Sequence, residues 1–221
     1  MCMDSWTTQR RPTYSEACPG LRTSRVRGAG LTSCRGENQV DRTLRDLANA
    51  RGLDLRESAR LLGYVNVATA DTMIACWEAK YHYNFWRPNH AIQRADTDGN
   101  PGTFPEAGWL PLIVGNHPEY PSGHACVTGA VTESLRTYFG TNRVRLVVSS
   151  TATGAGAPRT YENLDELVID VENARVWGGL HFRTTMTQTA EHFPRIARQV
   201  AKHFLSRPGR HERGRGERDE D

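Results

Sequence analysis

Between Asp41 and Tyr64, Leu44, Leu47, Ala48, Leu55, Ala59 and Leu62 recur at helical spacing, and Arg51-Gly52-Leu53-Asp54 interrupts them. Two short helices are predicted there. Ala70, Met73, Ile74, Trp77 and Tyr81 predict another helix from about Val67 to Trp86, which Pro88 ends. From Arg94 to Pro121 the chain loses all period and is dense in Pro and Gly, and a connection that long is either functional or unstructured. A helix from Ala125 to Phe139 follows, with Gly140 in the C-cap role. Arg143 to Ser150 reads as a short strand or an extended run, and Gly154 to Tyr161 as a turn region. The last predicted helices cover Asn163 to Val176 and Thr184 to Leu205, divided by Gly178 and Gly179.

Before Val40 the chain is polar, basic and rich in Gly, Ser and Thr without either period, so residues 1–39 are expected to be a disordered basic tail. Residues 206–221 are expected to be a disordered charged tail. The fold class predicted between them, over residues 40–205, is an all-α helical bundle with long loops feeding one end.

Charge excludes little and favours little. Of 221 residues, 28 are Lys or Arg and 25 Asp or Glu, and the excess of three gives no argument for nucleic acid. The arginines gather at the ends (Arg10, Arg11, Arg22, Arg25, Arg27, Arg35; then Arg207, Arg210, Arg213, Arg215, Arg218), which reads as solvated tails. Five cysteines show no metal-binding spacing and no even disulfide framework; Cys76 and Cys126 lie in apolar helical pattern and are expected to be buried thiols. No apolar core stands between Met1 and Arg35, so no signal peptide is expected in the chain as written. No window approaches the roughly 18 apolar residues of a membrane span. The chain reads as soluble.

Three clusters carry chemistry. Lys80 and Arg87 are seven residues apart, two helical turns, and on one helix they would leave the same face about 10 Å apart along the axis. They make either a solvated basic face or a pair converging on an anion; the aromatic neighbours Trp77, Tyr81, Tyr83, Phe85 and Trp86 weaken the first. Pro121-Ser122-Gly123-His124 opens the Ala125 helix, where free N–H groups and the helix dipole favour an oxyanion. Ser122 adds a hydroxyl, Gly123 lets an anion approach the backbone, and His124 can hold or pass a proton; the same residues also suit a plain helix start. Arg175 precedes His181 across the Gly-Gly break, an arrangement that suits a third wall of an oxyanion pocket.

In this order, Lys80-x6-Arg87-Pro88, Pro121-Ser122-Gly123-His124 and Arg175-x5-His181 resemble the three-part signature of the vanadium-dependent haloperoxidases and the related type 2 phosphatidic acid phosphatases. Each piece alone is weak; three in order are specific, and the likeness extends from about Val40 to Leu205. It implies the family's helical bundle, here without the N-terminal helices of longer members. It implies that Lys80, Arg87, Ser122, Gly123 and Arg175 hold the oxygens of vanadate or phosphate. His181 would ligate vanadium, or accept the phosphoryl group in a phosphatase, and His124 would be the acid/base residue. Lys80 would also polarise bound hydrogen peroxide.

The flanks Asn84-Phe85-Trp86-Arg87-Pro88 and His117-Pro118-Glu119-Tyr120 resemble the haloperoxidase branch, with vanadate as cofactor and hydrogen peroxide and a halide as substrates. The alternatives are a soluble phosphatase acting on small phosphoesters through a phosphohistidine and a truncated non-catalytic remnant. His117, seven before His124, is a halide-site candidate and implies bromide or iodide. Two positions depart from the pattern. Four residues after the last histidine, where many members carry an acid that orients the imidazole, stands Thr185, whose hydroxyl is expected to accept the ring N–H instead. Ala174 replaces a serine before Arg175. The shorter chain is expected to leave an apolar helix face open, which favours a homodimer.

Overall fold

A computed structural model describes residues 36–149 and 157–205; the two expected tails lie outside the described residues, apart from the last turn of residues before Val40. Helix α1, Gly36–Ala50, ends at Arg51 and Gly52. Asp54 then starts α2, Leu55–Tyr83, through a reciprocal cap. Its carboxylate accepts the Glu57 N–H at 2.7 Å, and the Glu57 carboxylate accepts the Asp54 N–H at 3.0 Å.

The interruption expected between Tyr64 and Val67 does not occur, and α2 runs for 29 residues. Tyr64, Val65 and Ala68 continue the buried spacing of Leu61, and extending a helix costs less than nucleating a new one. Nor does α2 reach Trp86. Asn84 takes a left-handed conformation, φ 43°, and its N–H caps the Lys80 carbonyl at 2.9 Å.

A short helix α3, Pro88–Gln93, and a 3₁₀ turn at Ala95–Thr97 lead into the long irregular connection, which was legible as such. Helix α4, Gly123–Phe139, is capped by Ser122 at its start and by Gly140, φ 67°, at its end. Strand β1, Leu146–Val148, pairs antiparallel with β2, Arg159–Tyr161, so the predicted turn region ends in a strand. Helix α5, Leu164–Trp177, starts on Asn163. The final predicted helix is two: α6, Arg183–His192, and α7, Pro194–Phe204. Pro194 has no N–H to donate and its ring obstructs a continuous helix, so the chain restarts there.

The bundle is built around α4. From Ala125 to Leu135 every residue of α4 is buried, so the helix has no solvent face. It packs against α2, α5, α6 and α7. Leu44 and Leu47 of α1, Leu61 and Val65 of α2, Val131 and Leu135 of α4, Leu146 of β1 and Leu164 of α5 share one core. A smaller cluster joins Tyr64 and Ala68 to Ala197 and Ala201, where the Tyr64 hydroxyl donates to the Ala197 carbonyl at 2.9 Å. Cys76 and Cys126 are fully buried, as their pattern predicted. Among the described residues no helix is long and apolar enough to cross a membrane.

Packing this uneven gives uneven sensitivity. Leu135→Ala, at a fully buried position, should cost about 2–5 kcal/mol. Ile74→Ala, at a position 69% exposed, should stay within about 0.5 kcal/mol. Urea midpoints at constant m-value measure both, and equal losses would contradict the assignment of α4 as the central element.

Candidate active site

The last turn of α2 and the loop before α4 are joined by a buried ammonium. Lys80 is fully buried, and its Nζ donates to the carbonyls of Pro118 (2.8 Å), Glu119 (3.1 Å) and Pro121. Arg87 does not share a helix face with Lys80, contrary to the spacing argument, because Asn84 ends α2 between them. Arg87 instead stands at the N-cap of α3. Its Nε donates to the His117 carbonyl at 2.9 Å, Nη1 to the Leu180 carbonyl at 2.7 Å, and Nη2 meets His117 Nδ1 at 3.1 Å. The loop passes so close that a Cβ on Gly115 would lie 2.7 Å from Arg87 Cζ. Any larger residue there would have to displace the guanidinium.

Arg175 sits in the last turn of α5, 6% exposed, and its Nε has no hydrogen-bond partner among the described residues. The Gly-Gly break then turns the chain, with Gly179 at φ 72° and the Leu180 N–H returning to the Arg175 carbonyl at 3.1 Å. That turn delivers His181, also buried, to the start of α6. His181 Nδ1 lies 2.8 Å from Glu119 Oε1. The same oxygen accepts the Phe182 N–H at 3.1 Å, and Glu119 Oε2 accepts the Thr185 hydroxyl at 2.8 Å. Thr185 therefore does not accept the imidazole N–H as expected. It donates to the carboxylate that does.

Ser122 Oγ accepts the Ala125 N–H at 3.4 Å, which leaves the hydroxyl hydrogen uncommitted by the cap, and the Ser122 N–H donates to Thr189 Oγ1 at 3.2 Å. Beside it, a Cβ on Gly123 would meet only Lys80 Cε, at 4.0 Å, so the glycine keeps space open against the lysine. His124 occupies the first turn of α4, half-buried and near enough to His181 to affect its proton affinity. His117 is half-buried, its ring edge-on to Trp77 at 4.9 Å. The three sequence clusters thus meet at one end of the bundle.

Electrostatics give the meeting its character. Lys80, Arg87 and Arg175 are all buried, and none forms a salt bridge with a carboxylate among the described residues. Burial first, and then Arg87, lower Lys80 to about 8, against the opposing influence of Cys76, Cys126 and Glu119. Burial and the neighbouring Arg87 lower Arg175 to about 10. Burial, Arg87, Arg175, Lys80 and His124 hold His181 well below the usual histidine range, so its ring is neutral rather than half of an ion pair. Glu119 is raised by burial to about 6 despite its donors, and remains mostly ionised at neutral pH.

Three buried cations and one hydroxyl, beside a neutral imidazole, suit an oxyanion; a bare metal cation would be repelled. The unpartnered Arg175 Nε and the open space at Gly123 fit such a group. Among the described residues no cluster of three or more His, Cys, Asp or Glu side chains could hold a cation. A separate groove of about 240 Å³ between α4, α5 and the α6–α7 junction is lined by more acids than bases, with Glu133 paired to Arg136 and Arg198, so it does not suit an anion. Glu119 is the functional residue that the sequence reading missed. An acid between Pro118 and Pro121 in an otherwise apolar approach to a buried helix was the available signal.

Buried cations around a neutral imidazole, at one end of a helical bundle, are an arrangement suited to an oxyanion. The chain belongs to the family whose model is described as VCPO second helical-bundle domain, matched over residues 60–208. Vanadium chloroperoxidase of Curvularia inaequalis is 34% identical in a match of 105 aligned positions that covers 42% of this chain and 16% of that one. Two solved structures share the fold at 21% identity. A bacterial vanadium-dependent iodoperoxidase gives a TM-score of 0.69 over 83% of this chain and 44% of its own. A bacterial vanadium-dependent chloroperoxidase in its holo form gives 0.65 over 87% and 47%. The chain thus spans less than half the length of each of these relatives.

The depressed Lys80 sets a pH window. Its charge is present below about 8 and lost above. Affinity for tungstate, a dianion throughout, should be nearly flat around pH 7 and weaken from about pH 8 to about pH 9, by roughly tenfold for each 1.4 kcal/mol of lost attraction. Calorimetric titration reads this directly. Lys80→Met should bind weakly at every pH with that slope removed, and an unchanged slope would assign the titration elsewhere.

Proposed function

We propose that this chain carries the catalytic domain of a vanadate-dependent haloperoxidase, which oxidises bromide or iodide with hydrogen peroxide and one proton to hypohalous acid and water. The observation supporting it most is the set of three buried cations lacking a carboxylate partner, set around a neutral His181. The relatives named above, each described as a vanadium peroxidase, favour halide oxidation over phosphoester hydrolysis.

In this reading His181 offers Nε2 to vanadium, while Arg87, Arg175, Ser122 and Gly123 hold the oxygens. When bound, vanadate supplies a Lewis-acid centre that activates hydrogen peroxide without changing oxidation state. All three N–H donors of Lys80 already meet carbonyls, so its role at the anion would be that of a fixed positive charge that favours negative charge beside it. His124, at the positive end of α4, would supply the proton that the balanced reaction consumes and regain one from solvent. His117 is lowered by its burial and by Lys80 and Arg87, so it stands neutral against Arg87 and Trp77; a neutral polar ring at the mouth suits a large, weakly hydrated halide.

Bromination of a reporter dye with hydrogen peroxide and bromide, before and after adding orthovanadate, tests the proposal. Activity is expected only with vanadate and should be lost in His181→Ala. Turnover that ignores vanadate, or silence accompanied by hydrolysis of an aryl phosphate, would overturn it.

Val67, Ile74, Trp77 and Tyr81, spaced seven, three and four apart, stand exposed along one face of α2. That is the spacing of a helix-pairing seam, and it supports a homodimer that buries the stripe. Light scattering should give twice the chain mass at low and high salt, with Ile74→Asp returning it to the chain mass. A wild-type monomer at high concentration would refute the dimer.

A further inference from the structure

We propose that Glu119 is the positioning acid of His181, replacing an acid on α6 with one from the loop before α4; the consequence for vanadate rests on the function proposed above. A carboxylate has only acceptors, and Glu119 is offered three donors: His181 Nδ1–H at 2.8 Å, the Phe182 N–H at 3.1 Å and the Thr185 hydroxyl at 2.8 Å. Glu119 is fully buried, so water cannot substitute for any of the three. With its two oxygens so committed, the imidazole can satisfy Oε1 only by carrying its proton on Nδ1. The tautomer is therefore set by Glu119, and Nε2 is left as the ligating nitrogen.

Thr185 follows from the same argument. An aspartate at position 185 would put a second buried carboxylate against the first, and the two could share the site only by taking up a proton. A hydroxyl gives the carboxylate the donor it needs. The threonine is then the complement of a relocated acid rather than the loss of one.

The main chain of Glu119 extends its reach. Its N–H donates to the Phe85 carbonyl at 2.9 Å, and its own carbonyl accepts from Lys80 at 3.1 Å. One residue thereby ties the ammonium at the end of α2 to the imidazole at the start of α6. Neither motif contains it, and both depend on it.

Nitrogen-15 NMR of histidine-labelled, vanadate-free protein tests this, with His181→Ala assigning the signal. Wild-type His181 should be a single Nδ1–H tautomer. Glu119→Ala should give mixed or Nε2–H tautomers and weaken orthovanadate binding by roughly 10- to 100-fold. Glu119→Gln, which retains shape and one acceptor, should remain folded and bind vanadate more weakly than wild type. Glu119→Ala combined with Thr185→Asp should restore both the Nδ1–H tautomer and most of the affinity, while Thr185→Asp alone should lower the thermal midpoint. A persistent Nδ1–H tautomer in folded Glu119→Ala would overturn the proposal. If the tautomer responds but the wild-type protein does not bind vanadate, the positioning role stands and the haloperoxidase reading fails.

Discussion

Everything at the functional end of the bundle hangs on the ammonium of Lys80. An ammonium taken fully out of water must find an acceptor for each of its three protons, and here the carbonyls of Pro118, Glu119 and Pro121 supply them. Three carbonyls within four residues can converge on one point only if the chain wraps around it. That wrapping leaves the His117 carbonyl to Arg87 and frees the Glu119 side chain to reach across to His181. The loop has no ladder of its own; the cations give it a shape.

The same arrangement is costly. Lys80 and Arg175 both hold their protons less firmly in the folded state than in the unfolded chain. For such a group the sign is unfavourable: charged Lys80 destabilises the fold at every pH below about 8, and the penalty is relieved only as pH rises from there towards the unfolded value. A fold under no functional demand would exchange these residues for apolar ones. The surrounding α4, buried on every side, supplies the stability that makes the site tolerable.

Much of this was legible from local signals. Gly140 and the Gly178-Gly179 pair marked real ends because they carry left-handed or tight turns, and Ser122 marked a real cap. The three motif fragments met as their order suggested. What was not legible depended on partners far along the chain. Asn84 ended α2 early although nothing in its neighbours requires it, and this removed the common helix face assumed for Lys80 and Arg87. Pro194 was visible, yet the apolar period on both sides hid the break it makes between α6 and α7. Glu119 was the hardest, because its meaning lies in His181, Phe182 and Thr185, more than sixty residues away. No window on the sequence contains both sides of that contact.

The unpartnered Nε of Arg175 carries a consequence for folding itself. An oxyanion bound there, as the proposed function requires, would have no equivalent site in the unfolded chain. Stability would then rise with the logarithm of free oxyanion concentration once the site began to fill. The protein's melting behaviour in phosphate and in an amine buffer would then describe two different molecules.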